Sequence, residues 1–277
     1  MASKIGRFRL CRIFCLALTL IGFGSHGGAA ADENAGSSFG CTDPVAVGVY
    51  EFGAWYSKGA GFTVDLLNEL SRRSSCVFVL REIPRADVWR AMSSGEIDIV
   101  TASISTAERE RHARFVRFLN IRNLMIGRIG TDPRIDSIDS FLTGRKGRIG
   151  VIDGFLYGSY FDFRLRSLLG DARIVATAAP DELFELLRRG EVDAILAPSV
   201  HYFHYLNEAE RKSHFYVVDT SQAVPPTSGL AFSRRRFSAW QSDNWMRLIE
   251  AMLLDRSLLA LAEQHLPPRV APMVLAR

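Results

Sequence analysis

The sequence predicts an α/β protein of two lobes, each with a mainly parallel β-sheet flanked by helices. Strand-like and helix-like patterns alternate along the chain, which is typical of parallel sheets covered by helices. One sub-pattern of helix and strand occurs twice, about 100 residues apart, which favours two similar lobes over one continuous sheet. A late isolated strand then predicts that the chain returns to the first lobe.

Residues 1–31 are predicted to be a cleavable secretory signal. Four basic residues precede the apolar run "IFCLALTLIGFG", and the small residues "GGAAA" follow it. A membrane anchor needs about 20 apolar residues, and this run is shorter, so cleavage near Ala30 or Ala31 is favoured. We therefore expect a soluble protein in the periplasm.

Charge and cysteine content agree with export. Of 34 basic and 30 acidic residues, four basic ones lie in the signal, so the remaining chain is balanced and no nucleic-acid or anionic-membrane partner is expected. Beyond the signal only Cys41 and Cys76 are left, each just before a strand-like run. If those strands are parallel neighbours, a disulfide suits an oxidising compartment; two reduced thiols are the alternative.

The first half of the mature chain alternates strands with amphipathic helices. "GFTVDLLNELSRR" has apolar residues at helical spacing, and "RADVWRAMSSG" ends in a glycine that stops the helix. The predicted strands are Val45–Tyr50, Val77–Glu82, Ile97–Val100 and Leu124–Ile129.

The pattern then begins again. Arg148–Ile152, Arg173–Val175 and Val192–Leu196 are predicted strands, with helices at Tyr157–Leu169 and in "PDELFELLRRG".

The repeated sub-pattern is seen in "VWRAMSSGEIDIVTAS" and "LFELLRRGEVDAILAPS". In each copy a glycine ends the helix and an aspartate, Asp98 or Asp193, opens the next strand. A strand at Gly229–Ser233 and the helical "WQSDNWMRLIEAMLL" fit a return to the first lobe. The predicted lobes are therefore 42–127 with 228–277, and 128–227.

The order of motifs resembles the family 3 extracellular solute-binding proteins, the polar amino acid type of ABC transport receptor. "GFTVDLL" is similar to the family's "GFDVDL", and "GEIDI" with a following Thr-x-x-Arg is similar to its "G-x-x-D…T-P-E-R". The matching positions are Gly61, Asp65, Gly95, Asp98, Thr106, Glu108 and Arg109. The resemblance implies a two-lobed periplasmic binding protein fold (type II) with two hinge crossings, a small-molecule ligand in the cleft, an ABC permease as partner, a monomer and no cofactor.

Arg109 matches the carboxylate-binding arginine of the family. A guanidinium donates two parallel hydrogen bonds to a carboxylate, which fixes orientation as well as adding energy. Hydroxyls before it, including Thr101 and Ser103, and the amides that open the next helix are expected to complete the anion site. The alternative is an arginine on the charged helix face "ERERHAR".

Aromatic residues follow the first strand in "EFGAWY". The resemblance puts Phe52 and Trp55 where the family stacks its ligand, whereas the alternative is hydrophobic core. Arg85 follows the second strand, where it is either a second cation in the cleft or the start of a solvated helix, and both interpretations stay open.

The second lobe departs from the family pattern. Pro198 stands where the family has an aspartate that holds the ligand's ammonium, and Phe155 in "DGFLYG" replaces a serine or threonine. An unpaired ammonium in a closed cleft costs several kcal/mol. An amino acid bound in the usual way is therefore disfavoured, unless Asp153 or Glu51 substitutes for the missing aspartate.

Three functions fit these residues. The first is a receptor for a small polar or carboxylate-bearing solute, without enzyme activity. The second is a cyclohexadienyl dehydratase-like enzyme on the same fold, with Glu51, Asp153 or Glu82 as general acid, and the third is a ligand-sensing partner of a membrane receptor. No phosphate loop, nucleophile elbow or H-E-x-x-H motif is present, and His201 with His204 has no third ligand nearby in sequence, so no metal is predicted.

Overall fold

The computed structural model describes residues 36–276, apart from 132–133, 145–146, 169 and 219–222. The predicted signal at residues 1–31 lies outside the described residues. The described chain forms two five-stranded sheets, each flanked by helices. The predicted fold class, α/β with two lobes, is confirmed.

The first lobe is built on a sheet of strand order β2-β1-β3-β10-β4. Its strands are β1 (Val45–Val49), β2 (Phe78–Glu82), β3 (Ile99–Ile104), β4 (Ala113–Asn120) and β10 (Thr227–Ser233). Its helices are α1 (Phe62–Ser74), α2 (Val88–Ser94), α3 (Ala107–Glu110), α9 (Ala239–Leu254) and α10 (Ser257–Glu263), followed by a 3₁₀ turn at Ala271–Val274. β1 runs parallel to β2 and β3, whereas β10 is antiparallel to both its neighbours.

The second lobe has the strand order β7-β6-β8-β5-β9. Its strands are β5 (Asn123–Arg128), β6 (Ile149–Ile152), β7 (Ile174–Thr177), β8 (Ala194–Pro198) and β9 (Phe215–Val218). Its helices are α4 (Ile138–Thr143), α5 (Ser159–Arg166), α6 (Pro180–Arg189), α7 (Ser199–Tyr205) and α8 (Glu208–Ser213). β6 is parallel to β7 and β8, and β5 is antiparallel to β8 and β9.

Three details differ from the sequence prediction. Each sheet is mixed rather than mainly parallel, because the strand that arrives from the other lobe pairs antiparallel in both. β5 had been predicted in the first lobe, with a boundary after residue 127, yet it pairs only within the second sheet. The chain therefore crosses between β4 and β5, and it returns between β9 and β10. Neither β4 nor β9 had been predicted.

The repeated aspartates bind the backbone of a neighbouring parallel strand, β1 in the first lobe and the start of β6 in the second. A carboxylate oxygen of Asp98 accepts the Ala46 backbone N–H at 2.9 Å, and one of Asp193 accepts the Arg148 N–H at 2.7 Å. The glycines of the repeat, Gly95 and Gly190, adopt φ of 87° and 70° at the ends of α2 and α6, a region that other residues enter at a cost. The sequence repeat thus corresponds to the same helix end and the same aspartate–backbone hydrogen bond in both lobes.

A disulfide joins Cys41 to Cys76, with Cα atoms 5.4 Å apart. This is the pairing expected if the strands that follow the cysteines are parallel neighbours, and β1 pairs parallel with β2, Val45 opposite Phe78. The bridge ties the start of the first lobe to the edge of its sheet. No helix among the described residues is long and apolar enough to span a membrane.

Candidate functional site

The two lobes meet where the carboxyl ends of β1, β2 and β3 face the loops of the second lobe. Phe52, just after β1, stacks on Phe155 with ring centroids 5.8 Å apart and lies edge-on to His201 at 4.6 Å. The Tyr205 hydroxyl donates to the Glu51 carboxylate at 2.5 Å. These contacts join side chains of opposite lobes, so the structure has a closed cleft lined by aromatic rings.

A bulge in β3 shapes the first-lobe wall of the cleft. Ala102 has φ of 46°, and the register of β10 against β3 shifts between Gly229 and Ala231. A bulge re-aims the side chains next to it. Thr101 donates its hydroxyl to the Gly48 carbonyl at 3.3 Å, while the buried Ser103 hydroxyl has no hydrogen-bond partner among the described residues. Of the two predicted hydroxyls, Ser103 is therefore the one with spare hydrogen-bonding capacity.

Arg109 lies against the ring of Trp89 and reaches back to the end of β3. Its guanidinium carbon is 4.8 Å from the ring centroid, and Nη1 donates to the Ile104 carbonyl at 2.9 Å. Burial and the nearby charge of Arg85 lower the pKa of Arg109 to about 10. The Thr106 hydroxyl accepts the Arg109 backbone N–H and so caps the short α3. Arg109 is thus a half-buried cation that burial has made costly to charge.

Arg85 is held between aromatic rings of both lobes. The residue is 8% exposed, and its guanidinium carbon lies 4.9 Å from the centroid of Tyr50 and 6.0 Å from that of Phe155. Its Nε and Nη1 atoms are buried, and no described residue accepts a hydrogen bond from either. Arg85 is therefore a cleft residue and not a solvated helix start.

Asp162, in the first turn of α5, is a second-lobe carboxylate whose charge raises the pKa of Arg109 and so partly offsets the effects of burial and of Arg85. Its two oxygens accept the backbone N–H groups of Tyr157 and Gly158 at 2.8 and 3.0 Å. Burial raises the pKa of Asp162. Within the described part of the chain neither Arg85 nor Arg109 forms an ion pair with a carboxylate. The Asp162 oxygens therefore lie more than 4.0 Å from the Arg109 nitrogens.

The remaining predicted residues are placed as follows. Trp55 packs on Phe62, with ring centroids 4.5 Å apart, in the core of the first lobe. Of its two interpretations, ligand wall or hydrophobic core, the structure fits the second. Asp153 is exposed beyond β6, and Pro198 ends β8 opposite Asn123. Phe155 contacts aromatic rings of both lobes.

Five cleft residues were not among the predicted ligand-binding residues: Tyr50, Trp89, Asp162, His201 and Tyr205. His201 and Tyr205 lie in "SVHYFHYLN", where the histidine spacing suggested only a metal site. No group of three or more potential metal ligands occurs in the described residues. An aromatic-rich helix directly after a strand that ends at the cleft was the signal available for these two.

Acid is expected to weaken the closed form through His201. This side chain is fully buried on Phe52 beside Tyr205, and burial, with the charge of His204, lowers its pKa to about 3. In the unfolded or opened chain His201 binds a proton near pH 6.5, whereas in the closed chain it does not. His201 therefore leaves the free energy of unfolding unchanged above pH 6.5 and lowers it as the pH falls toward 3. The slope contributed by this group reaches about 1.4 kcal/mol per pH unit.

Denaturant unfolding between pH 4 and pH 7 measures that slope. His201→Phe should flatten it, whereas His112→Asn, at an exposed histidine, should leave it unchanged. An equal slope in the parent and in His201→Phe would contradict the assignment of the effect to His201.

Comparisons with known proteins agree with this architecture. Residues 50–148 match the family described as bacterial extracellular solute-binding proteins, family 3. No curated protein matches the chain at a significant level. The family resemblance predicted from the motifs is therefore confirmed over those residues.

Solved structures of two-lobed binding proteins superpose on most of the chain. An arginine-, lysine- and histidine-binding protein, ArtJ of Geobacillus stearothermophilus, has a TM-score of 0.66 at 16% identity, covering 80% of this chain and 95% of that one. An arginine transport binding protein of Legionella pneumophila gives 0.61 at 18%, covering 80% and 99%. A histidine kinase sensor domain similar to periplasmic binding proteins gives 0.67 at 16%, covering 82% and 97%. At these identities the comparisons establish the fold.

Proposed function

We propose that this chain, which matches the bacterial extracellular solute-binding proteins of family 3 over residues 50–148, is a periplasmic receptor for a small carboxylate-bearing solute. The solute binds between the lobes and is delivered to an ABC permease. The predicted signal and the disulfide support a location outside the cytoplasm. The receptor acts as a monomer, and the closed arrangement of its lobes is the form that a permease reads.

The observation that carries this proposal is the pairing of strand-end cations with an aromatic interface between lobes. Arg109 presents a guanidinium at the edge where the first-lobe strands end, the place at which α/β sheets collect ligands. Phe52 and Phe155 supply apolar surface from opposite lobes. A small acid fits this combination, with its carboxylate on the cation and its carbon chain on the rings.

A thermal-shift screen over amino acids, monocarboxylates and dicarboxylates tests the proposal. A ligand at 100 times its dissociation constant stabilises the folded chain by about 2.7 kcal/mol, which raises the melting temperature by about 5 to 10 °C. A set of uncharged sugars is the matched control, and we expect it to give no rise. A panel in which no acid or amino acid raises the melting temperature would contradict the proposed function.

A second candidate function is ligand sensing, in which the closed form docks on a membrane receptor. The similarity in fold to a histidine kinase sensor domain supports this second function. Deleting the gene separates the two roles, since a transport receptor is needed for uptake of the radiolabelled ligand and a sensing partner is needed for ligand-dependent transcription.

The dehydratase alternative has less support from the site. Glu51, one of its three candidate acids, is engaged by the Tyr205 hydroxyl, and Glu82 accepts the Tyr56 hydroxyl at 3.2 Å. The third, Asp153, lies exposed. We therefore propose binding without turnover. Incubation with prephenate, monitored for an aromatic product, would overturn this part of the proposal if product formed.

A further inference from the structure

We infer that the solute is a small dicarboxylate without an ammonium group, with one carboxylate on Arg109 and the other on Arg85. This inference rests on the proposed function and names the class of ligand. It assigns Arg85 as the residue that distinguishes a dicarboxylate from a monocarboxylate or an amino acid.

The guanidinium of Arg85 has buried donors with no acceptor among the described residues. Two of its nitrogens, Nε and Nη1, are buried without an acceptor in the described part of the chain, and the residue as a whole is 8% exposed. A guanidinium does not lose its proton at neutral pH, and a buried unpaired charge is costly. The rings of Tyr50 and Phe155 offer only cation–π contacts. An anion bound between the lobes would accept hydrogen bonds from Nε and Nη1 of Arg85.

The balance of charge is the second step. The cleft holds two guanidiniums, and the charge of Arg85 lowers the pKa of Arg109. Asp162 is the carboxylate opposite Arg109, and both its oxygens already accept backbone N–H groups. Glu51 is engaged by Tyr205. A zwitterionic amino acid brings one carboxylate and one ammonium, so one of the two arginines stays without an anionic acceptor, whereas a dicarboxylate brings an acceptor for each.

The spacing of the arginines sets the length of the ligand. Arg85 follows β2 and Arg109 follows β3, and β1 lies between these strands. Two strand spacings amount to about 10 Å. The Arg85 guanidinium lies over the Tyr50 ring at the end of β1, and Arg109 is close enough for the charge of Arg85 to lower its pKa. A chain of about four or five carbons, as in succinate or glutarate, spans the remaining gap. Its methylene groups would lie on Phe52 and Phe155.

Calorimetric titration of succinate against its monoamide, succinamate, isolates the second carboxylate. The two compounds have nearly the same shape and differ by one charge. We expect the parent protein to bind succinate about 10- to 100-fold more tightly, the range for a charged hydrogen-bonding group. In Arg85→Gln the ratio should fall to about one, because succinate then loses the guanidinium that distinguishes it from succinamate. Arg81→Gln, at an exposed arginine four residues earlier, should keep the parental ratio.

The outcomes separate this inference from the proposed function. If L-glutamine or another amino acid binds and succinate does not, the receptor function stands and the dicarboxylate assignment is overturned. The assignment is also overturned if the parent protein binds succinate and succinamate equally, or if equimolar sulfate displaces succinate. Both of these measurements use the parent protein alone, so they do not depend on the folding of a variant. If no acid or amino acid binds at all, the proposed function itself fails.

Discussion

Arg109→Ala is expected to abolish the rise in melting temperature that a bound acid produces, while the unliganded chain stays folded. The guanidinium donates parallel charge-assisted hydrogen bonds to the ligand carboxylate, and their loss weakens binding by about 100-fold or more. The unliganded fold depends little on this side chain. Its charge is disfavoured by burial and by Arg85, and within the described part of the chain its guanidinium donates a hydrogen bond to the Ile104 carbonyl.

The matched control for Arg109 is Arg111→Ala. Arg111 lies two residues further along the chain and is exposed, so its removal should change neither the melting temperature nor the ligand response. Arg109→Lys keeps a cation but not the planar fork, and we expect it to retain only part of the affinity. An Arg109→Ala protein that responds to the ligand as the parent does would show that the carboxylate is held elsewhere.

Removing the disulfide is expected to lower the free energy of unfolding by about 4 kcal/mol, because the bridge restricts the unfolded chain over a loop of this size. Cys41 and Cys76 are 35 residues apart, and Cys76 is 1% exposed. The double variant Cys41→Ser with Cys76→Ala therefore avoids burying an unpaired hydroxyl. Denaturant unfolding of this variant and of the parent gives the difference.

The control for the disulfide uses reductant. Dithiothreitol should lower the unfolding midpoint of the parent to near that of the double variant and should leave the variant itself unchanged. A reduced parent as stable as the oxidised one would show that the bridge adds no stability, and the loop-entropy account would then be wrong for this chain.

Local patterns made most of the fold predictable. Apolar spacing and terminal glycines identified α1, α2 and α6, and the repeat of Asp98 in Asp193 indicated two lobes before any pairing was known. The direction of the return strands was not predictable in this way. β5 and β10 pair antiparallel with partners that are distant in sequence, and a strand's own residues do not specify its neighbours.

In the candidate site too, some residues could be predicted from local patterns and others depend on contacts between distant parts of the chain. First-lobe residues that follow strands, such as Phe52, Arg85 and Arg109, could be picked out because strand ends meet at one edge of a sheet. The choice between cleft and core for Trp55, and the role of Tyr205, depend on contacts that form only when side chains pack. Asp162 is separated from Arg109 by more than 50 positions, and no short-range pattern links them.

The contacts of Phe52 with Phe155 and of Glu51 with Tyr205 join protein to protein, so they hold the lobes together with or without a solute. Less of the solute's binding energy is then used to close the cleft, and the apparent affinity approaches the intrinsic one. The same contacts populate the closed shape at rest, so a membrane partner that reads only this shape would receive a background signal. If the protein is the receptor proposed above, a stronger bond between Tyr205 and Glu51 raises its affinity for the solute and also raises the background signal in the absence of solute.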